Sequence, residues 1–406
     1  MGSFAEGLPD GVRQGQNGPN RIAVDTKGER MKGRFTLAVL LVLLVGALAA
    51  GCGGSSKSSE GETDTGEGGA KAKVTLQLKW VTQAQFAGYY AAKAKGYYDD
   101  ENLDVNLKVG GPSITPEQVV LGKQGEFGID WLPSLLASRD KGQDLTNIAQ
   151  VFTRSGMTEL TWKNSGITTI GQMKGKKVGV WCCGNENELY AALNKNGLNP
   201  KSDVTIVNQP FDMNLFLNNQ VDAAAAMTYN ELAQVLETTN PKTGKLYKPS
   251  DLNVIKMDEV GTGMLEDGVF VRGDWIKDKD NQEVAKRFLA ASFRGWIYCR
   301  SHVSECTQIV LDNGPTLGKG HQTWMMNEIN ALVWPAPDGI GVMDKAAYDR
   351  TAKIAQQYGV ISKAPRADAY TTAYAQDAVD EISAAGTDAN GTNYTKPAVK
   401  VTPKGQ

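Results

Sequence analysis

Several short runs of this 406-residue chain concentrate side chains able to grip a small molecule. The first is Lys79-Trp80-Val81-Thr82-Gln83-Ala84-Gln85-Phe86-Ala87-Gly88-Tyr89-Tyr90. Trp and Tyr offer a π face with a polar tip, and small-molecule pockets are mainly apolar with a few placed polar groups. Trp80, Gln83 and Tyr90 are the candidates in this run. The competing reading makes Trp80 and Phe86 core, and Tyr89 and Tyr90 helix surface. In Gly110-Gly111-Pro112, Gly111 would let the backbone approach a ligand. In Phe127-Gly128-Ile129-Asp130-Trp131-Leu132-Pro133-Ser134, Trp131 could stack on a ring. Asp130 could touch the ligand or cap the helix that follows.

Further along, Trp181-Cys182-Cys183-Gly184-Asn185-Glu186-Asn187-Glu188 precedes a helix. Backbone N–H groups at a helix start favour an acceptor or anion. Gly184, Asn185 and Glu186 are therefore candidates, although Glu186 or Glu188 could simply complement the helix dipole. Asp212 and Asn214 fall in the next loop. Met227-Thr228-Tyr229-Asn230-Glu231 supplies Tyr229 as a second stacking ring, and Glu266 and Asp267 stand at a later crossing. Catalysis finds little support beside this. His302 and His321 are the only two histidines, and no His/Cys/Asp set has metal-site spacing. No phosphate-binding glycine loop or nucleophile elbow stands at a strand–helix junction. No catalytic residue, metal or cofactor is expected.

The elements that must position these residues alternate. Strands are expected at 74–79, 105–109, 127–129 and 147–153, with helices between them. A second such unit has strands at 177–181, 204–207, 221–227 and 254–257. This rhythm implies an α/β fold of mostly parallel sheets with helices on both faces. After a strand near 269–271 the chain turns helical. Lobe one would comprise residues 73–164 and 266–396, lobe two residues 165–265, and 397–406 a tail, loose from about Asp388. Open α/β sheets bind ligands beyond their strand ends, so both lobes would present the candidate loops to one hinge cleft.

The N-terminus bears on the compartment. Lys32 and Arg34 precede an apolar run, 35–50, that leads into Leu48-Ala49-Ala50-Gly51-Cys52. That layout reads as a lipoprotein signal peptide over 31–51, with Cys52 as the lipidated residue and Ala49 in place of the usual Leu. Met31 is then the expected start, and 1–30 an upstream misreading or disordered extension. Residues 52–72 are rich in Gly, Ser, Glu and Thr and read as a flexible tether. The expected location is the outer face of the cytoplasmic membrane, reached through a lipid anchor. A net charge of -2 leaves no basic excess for a nucleic-acid partner. Cys299 and Cys306 are expected to pair, which suits an oxidising compartment. Cys182 and Cys183 are read first as buried thiols, with a vicinal disulfide or pocket lining as alternatives.

The same runs carry a family pattern. Leu78-Lys79-Trp80, Ala87-Gly88-Tyr89-Tyr90, Lys95-Gly96-Tyr97-Tyr98, Asp130-Trp131, Gly175-Lys176-Lys177-Val178-Gly179-Val180 and Phe293-Arg294-Gly295-Trp296 resemble the thiamine-precursor solute-binding family. The run 81–90 with Asn185-Glu186 is similar to its riboflavin-binding branch. The resemblance implies a type II periplasmic-binding fold, a monomer, and partnership with an ABC permease and ATPase. It also implies a flat heteroaromatic ligand, either a flavin or a thiamine pyrimidine precursor. Binding of another solute, such as an alkanesulfonate, is the neighbouring expectation. Fungal relatives are pyridoxal-dependent thiamine pyrimidine synthases. They carry His where Phe86 stands, and cysteines where this chain has Met264-Leu265-Glu266-Asp267-Gly268, so the enzyme alternative is disfavoured.

Overall fold

A computed structural model describes residues 70–406. The expected extension, the signal peptide, Cys52 and the tether up to residue 69 lie outside the described residues. The first strand, β1 (Ala72–Gln77), buries Val74 and Leu76 and turns Lys73 outward. It pairs in parallel with β2 (Leu103–Lys108) and with β3 (Phe127–Trp131), whose five residues are all buried, as a central strand requires. Two more strands, β4 (Leu145–Gln150) and the returning β10 (Asp267–Arg272), complete a sheet of order β2-β1-β3-β10-β4. Within it β10 runs antiparallel to both its neighbours.

The second lobe repeats the plan. Its strands are β5 (Met157–Trp162), β6 (Lys177–Val180), β7 (Thr205–Asn208), β8 (Ala223–Met227) and β9 (Leu252–Lys256). Their order is β7-β6-β8-β5-β9, with β5 antiparallel to β8 and β9. The lobe boundary therefore moves. Residues 157–162, expected in lobe one and not expected to be a strand, lie at the interior of the second sheet. The chain crosses between lobes at 151–156 and returns at 257–266. The two crossings are stitched together. The Phe152 N–H donates to the Asp267 carbonyl at 3.1 Å, and the Gly156 N–H to the Glu266 carboxylate at 2.6 Å.

Helices close lobe one. The longest, Lys279–Ser301, starts on an Asp278 side chain that accepts from the Asp280 and Asn281 N–H groups. It crosses the helix Ala87–Ala94 at very short range: a β-carbon at Gly295 would lie 2.0 Å from the Gly88 carbonyl oxygen. The expected Cys299–Cys306 disulfide joins its end to the helix Val303–Asn313, with the two Cα atoms 5.5 Å apart. The stretch after Asp388 is held rather than loose. Ala389 is buried, the Ile340 N–H donates to its carbonyl at 3.0 Å, and the Ala336 N–H donates to the Asn390 carbonyl at 2.9 Å. Further on, the Lys404 N–H donates to the Glu237 carbonyl of lobe two at 2.9 Å. Backbone hydrogen bonds order this polar segment, and they leave no trace in its hydrophobicity.

Candidate functional site

The strand ends of both sheets converge on a narrow cavity of about 20 Å³, nearly closed by its own lining. Lobe one supplies Lys79, Trp80, Gln83 and Gln85 beyond β1, and Trp131 at the end of β3. Lobe two supplies Trp181 and Asn185 beyond β6, and Met227, Tyr229, Asn230 and Glu231 at the end of β8. The lining is thus four aromatic rings, a thioether, four carboxamides, one ammonium and one carboxyl.

Aromatic edges close the space between the lobes. The Trp80 ring meets Trp181 edge-on at 6.3 Å and Phe211 at 5.7 Å. Tyr229 is fixed from behind by Phe152, edge-on at 6.3 Å. Burial holds the pKa of the Tyr229 hydroxyl well above the ordinary tyrosine value. It is therefore a neutral donor at any working pH.

A polar chain lies behind the rings. Lys79 pairs with Asp130, and its ammonium sits 4.6 Å from the centre of the Trp131 ring. The Trp131 indole N–H donates to Asp267 at 3.0 Å, the Gln85 amide donates to the other Asp267 oxygen at 2.8 Å, and Gln83 donates to Gln85 at 2.6 Å. Burial pushes the Asp267 carboxyl up to about 7. On the far wall, Glu231 accepts from the Met227 N–H at 3.0 Å and from the Asn230 amide at 2.8 Å, and burial moves it too up to about 7. The Asn230 oxygen lies 3.0 Å from Nε2 of His321, whose Nδ1 is 3.0 Å from the Glu237 carboxylate. His321 sits on the helix Lys319–Val333 of lobe one, so this contact also ties the lobes.

Of the residues expected at the site, Trp80, Gln83, Trp131, Asn185 and Tyr229 line this cavity. Asp130 does not: it serves Lys79 and the Trp131 N–H instead. Tyr90 is core, its hydroxyl 3.0 Å from Thr82. Gly111 is not among the lining residues; its N–H donates to the Lys79 carbonyl at 3.3 Å. Gly184 and Glu186 border a separate groove on the outer side of the lobe junction. Asp212 is exposed and accepts from the Asn214 N–H at 2.9 Å. Cys182 and Cys183, read first as buried thiols, are exposed and joined in a disulfide.

Glu266 sits at the crossing. Ser155 lies 2.8 Å from Glu188 and 3.1 Å from Glu266, and both carboxyls are fully buried. Burial pushes Glu188 up to about 8, and burial together with Glu188 raises Glu266. Lys79, Gln85, Trp181, Met227, Asn230 and Glu231 were not singled out from sequence. Each lies within two residues of one that was, or directly after a strand, and strand-end position was the signal available.

Three comparisons place this geometry among known proteins. A thiamine biosynthesis protein of Haemophilus influenzae is 24% identical over 303 residues, covering 73% of this chain and 90% of the relative. The riboflavin-binding protein RibY of Chloroflexus aurantiacus is 22% identical over 344 residues, covering 81% and 93%. Among solved structures, the ligand-binding component of an ABC-type import system from Staphylococcus aureus superposes with a TM-score of 0.56 at 10% identity, over 76% of this chain and 99% of that one. Two lobes, each with a mixed five-stranded sheet and joined by two crossings, form the type II periplasmic-binding fold. A family model matches residues 83–305, and the chain belongs to the NMT1/THI5 like family.

Proposed function

We propose that this chain is the solute-binding protein of an ABC importer, and that it captures an uncharged, flat heteroaromatic vitamin or precursor by lobe closure. Riboflavin and a thiamine pyrimidine precursor are the two ligands that fit this reading. The observation that carries it is the lining itself: Trp80 and Trp131 from one lobe and Trp181 and Tyr229 from the other surround a single cavity edged by amides. Rings from both lobes can hold a planar ligand only when the lobes are together, which couples capture to closure. Among the described residues Lys79 is the one cation in the lining and is already paired with Asp130, so an anionic group would find no free positive charge among them. The names of the two relatives point to the same ligand classes. Cys52 would carry the lipid anchor on the outer face of the cytoplasmic membrane, and a disulfide at Cys299–Cys306 suits that compartment. The role is binding, not catalysis.

The test is a thermal-shift and calorimetry screen against riboflavin, FMN, thiamine, hydroxymethylpyrimidine and its formylamino analogue. A ligand at 100 times its Kd stabilises the protein by about 2.7 kcal/mol. One uncharged member should bind, and FMN should bind more weakly than riboflavin. Failure of the whole panel rejects the vitamin reading. Replacing Trp80 or Tyr229 by Ala should weaken binding by about 1–3 kcal/mol, roughly 5- to 150-fold in Kd. Unchanged affinity in both variants would remove these rings from the site.

A further inference from the structure

The two disulfides among the described residues differ in one respect that matters chemically. Cys299 and Cys306 are fully buried, whereas Cys182 and Cys183 are exposed, in the loop that carries two pocket residues. Trp181 stands on one side of the pair, with its indole N–H donating to the Pro210 carbonyl at 3.2 Å. Asn185 stands on the other, its amide donating to the Cys182 carbonyl at 2.7 Å. Both side chains reach the cavity. The loop also rests on the opposite lobe, where the Ser134 hydroxyl donates to the Gly184 carbonyl at 3.1 Å.

The backbone here is held where an open chain would not stay. Cys183 has φ +71°, in the left-handed region that L-residues with a side chain rarely occupy. Gly184 follows at φ +105°, where a β-carbon would come within 2.5 Å of the Ser134 hydroxyl. The covalent ring between adjacent cysteines fixes this arrangement. Once it opens, Cys183 is free to return to negative φ, and the hydrogen bonds that aim Asn185 and seat Gly184 on Ser134 lose their common support.

We propose that Cys182–Cys183 is a redox-addressable modification site. Its reactant is a dithiol, small or protein-borne, and its opening loosens residues 181–186 and weakens the hold on ligand. A thiolate of the dithiol attacks one sulfur of the pair, the S–S bond breaks, and a mixed disulfide forms with release of one cysteine thiolate. The second thiol of the reagent resolves the mixed disulfide. The reagent loses two electrons and becomes a cyclic disulfide; the pair gains them and, with two protons, becomes two thiols. Burial protects Cys299–Cys306 from the same attack. The effect on ligand rests on the binding reading above; the modification itself does not.

The experiment treats the native full chain with dithiothreitol, then alkylates it with N-ethylmaleimide and maps the adducts by mass spectrometry. Tryptophan fluorescence and amide exchange are followed in parallel. The expected result is alkylation of Cys182 and Cys183 with Cys299 and Cys306 untouched, a change in fluorescence from Trp181, and at least several-fold faster exchange over 181–187. The double variant Cys182→Ser, Cys183→Ser should show the fast exchange without reductant and no response to it. Three results would overturn the proposal: alkylation of the pair before reduction, no alkylation after it, or alkylation with fluorescence and exchange unmoved. Riboflavin and hydroxymethylpyrimidine are then titrated against oxidised and reduced protein, with a several-fold loss of affinity expected on reduction. Equal affinity in both forms overturns the coupling to ligand. If neither compound binds the oxidised protein, it is the vitamin reading that fails, and the labelling and exchange results still decide the modification.

Discussion

Replacing Gly295 by Ala is expected to destabilise the protein by at least about 3 kcal/mol, at the upper end of what overpacking usually costs. The new methyl group would sit 2.0 Å from the Gly88 carbonyl oxygen and 2.8 Å from the Ala92 nitrogen. Both are backbone atoms in the interior of a helix, so neither can swing aside as a side-chain tip would. The reciprocal change, Gly88→Ala, meets the Trp296 indole at 2.2 Å, and that ring is fully buried. Either change forces two packed helices apart and opens voids along their whole contact. Near the transition, this corresponds to a fall in Tm of roughly 4 °C or more. Gly171→Ala is the control: its nearest neighbour would be 3.9 Å away and the position is exposed, so Tm should hardly move. A Gly295→Ala protein melting with the wild type would show that the two helices do not approach this closely.

Stability should also fall steadily between pH 5 and pH 9. Burial holds the Glu188 carboxyl up to about 8, against 4.5 for an ordinary glutamate, and holds Glu231 and Asp267 up to about 7. Between those limits the folded chain keeps protons that the unfolded chain has released, so unfolding is favoured as protons become scarce. The contribution is complete below about pH 4.5 and gone once the pH passes the folded values. At Glu188 the physical content is plain. Ser155 has one hydroxyl proton for two buried carboxyls, and Glu266 Oε2 has no hydrogen-bond partner among the described residues. Ionising both would leave two like charges without water at the lobe crossing.

Glu188→Gln keeps the shape and removes the titration. At pH 9 it should be more stable than the wild type by on the order of 2–4 kcal/mol, with the gap closing towards pH 5. Urea midpoints at pH 5, 7 and 9 measure this. A wild type equally stable across that range, with the variant tracking it, would mean that these carboxyls are solvated in solution.

Much of this architecture could be read from residue patterns. Alternation in 74–79, the alanine-rich run before Met227 and the return at Val269-Phe270-Val271 each encode a strand with a known side. They also place Trp80, Trp131 and Tyr229 at strand ends, where a two-lobed protein holds its cleft. The rest was ambiguous for physical reasons. Met157–Trp162 carries Glu159, a residue that patterning assigns to the surface, yet Glu159 is fully buried and burial raises its carboxyl well above the usual range. The strand was invisible on that account. Asp130, Asp212 and Glu266 share the chemistry of ligand contacts, but a carboxylate at or near a strand end serves a neighbouring N–H equally well, and all three do so. Trp181 was absorbed into the apolar run that precedes it. Only the lobe two loop geometry turns it towards the cavity.

The path of the chain through the two sheets also sets an order of assembly. Every strand of the second sheet lies between residues 157 and 256, so that lobe can complete its hydrogen bonding from a contiguous stretch. The first sheet cannot. Among the described residues β4 pairs with no strand but β10, and β10 arrives more than a hundred residues later in the sequence, after the whole of lobe two. Such pairings are made late, because the long loop between them must be closed first. Until then β4 presents an open edge. During vectorial emergence of the chain, the cleft therefore comes late: one wall stands finished while the other waits for a strand not yet delivered.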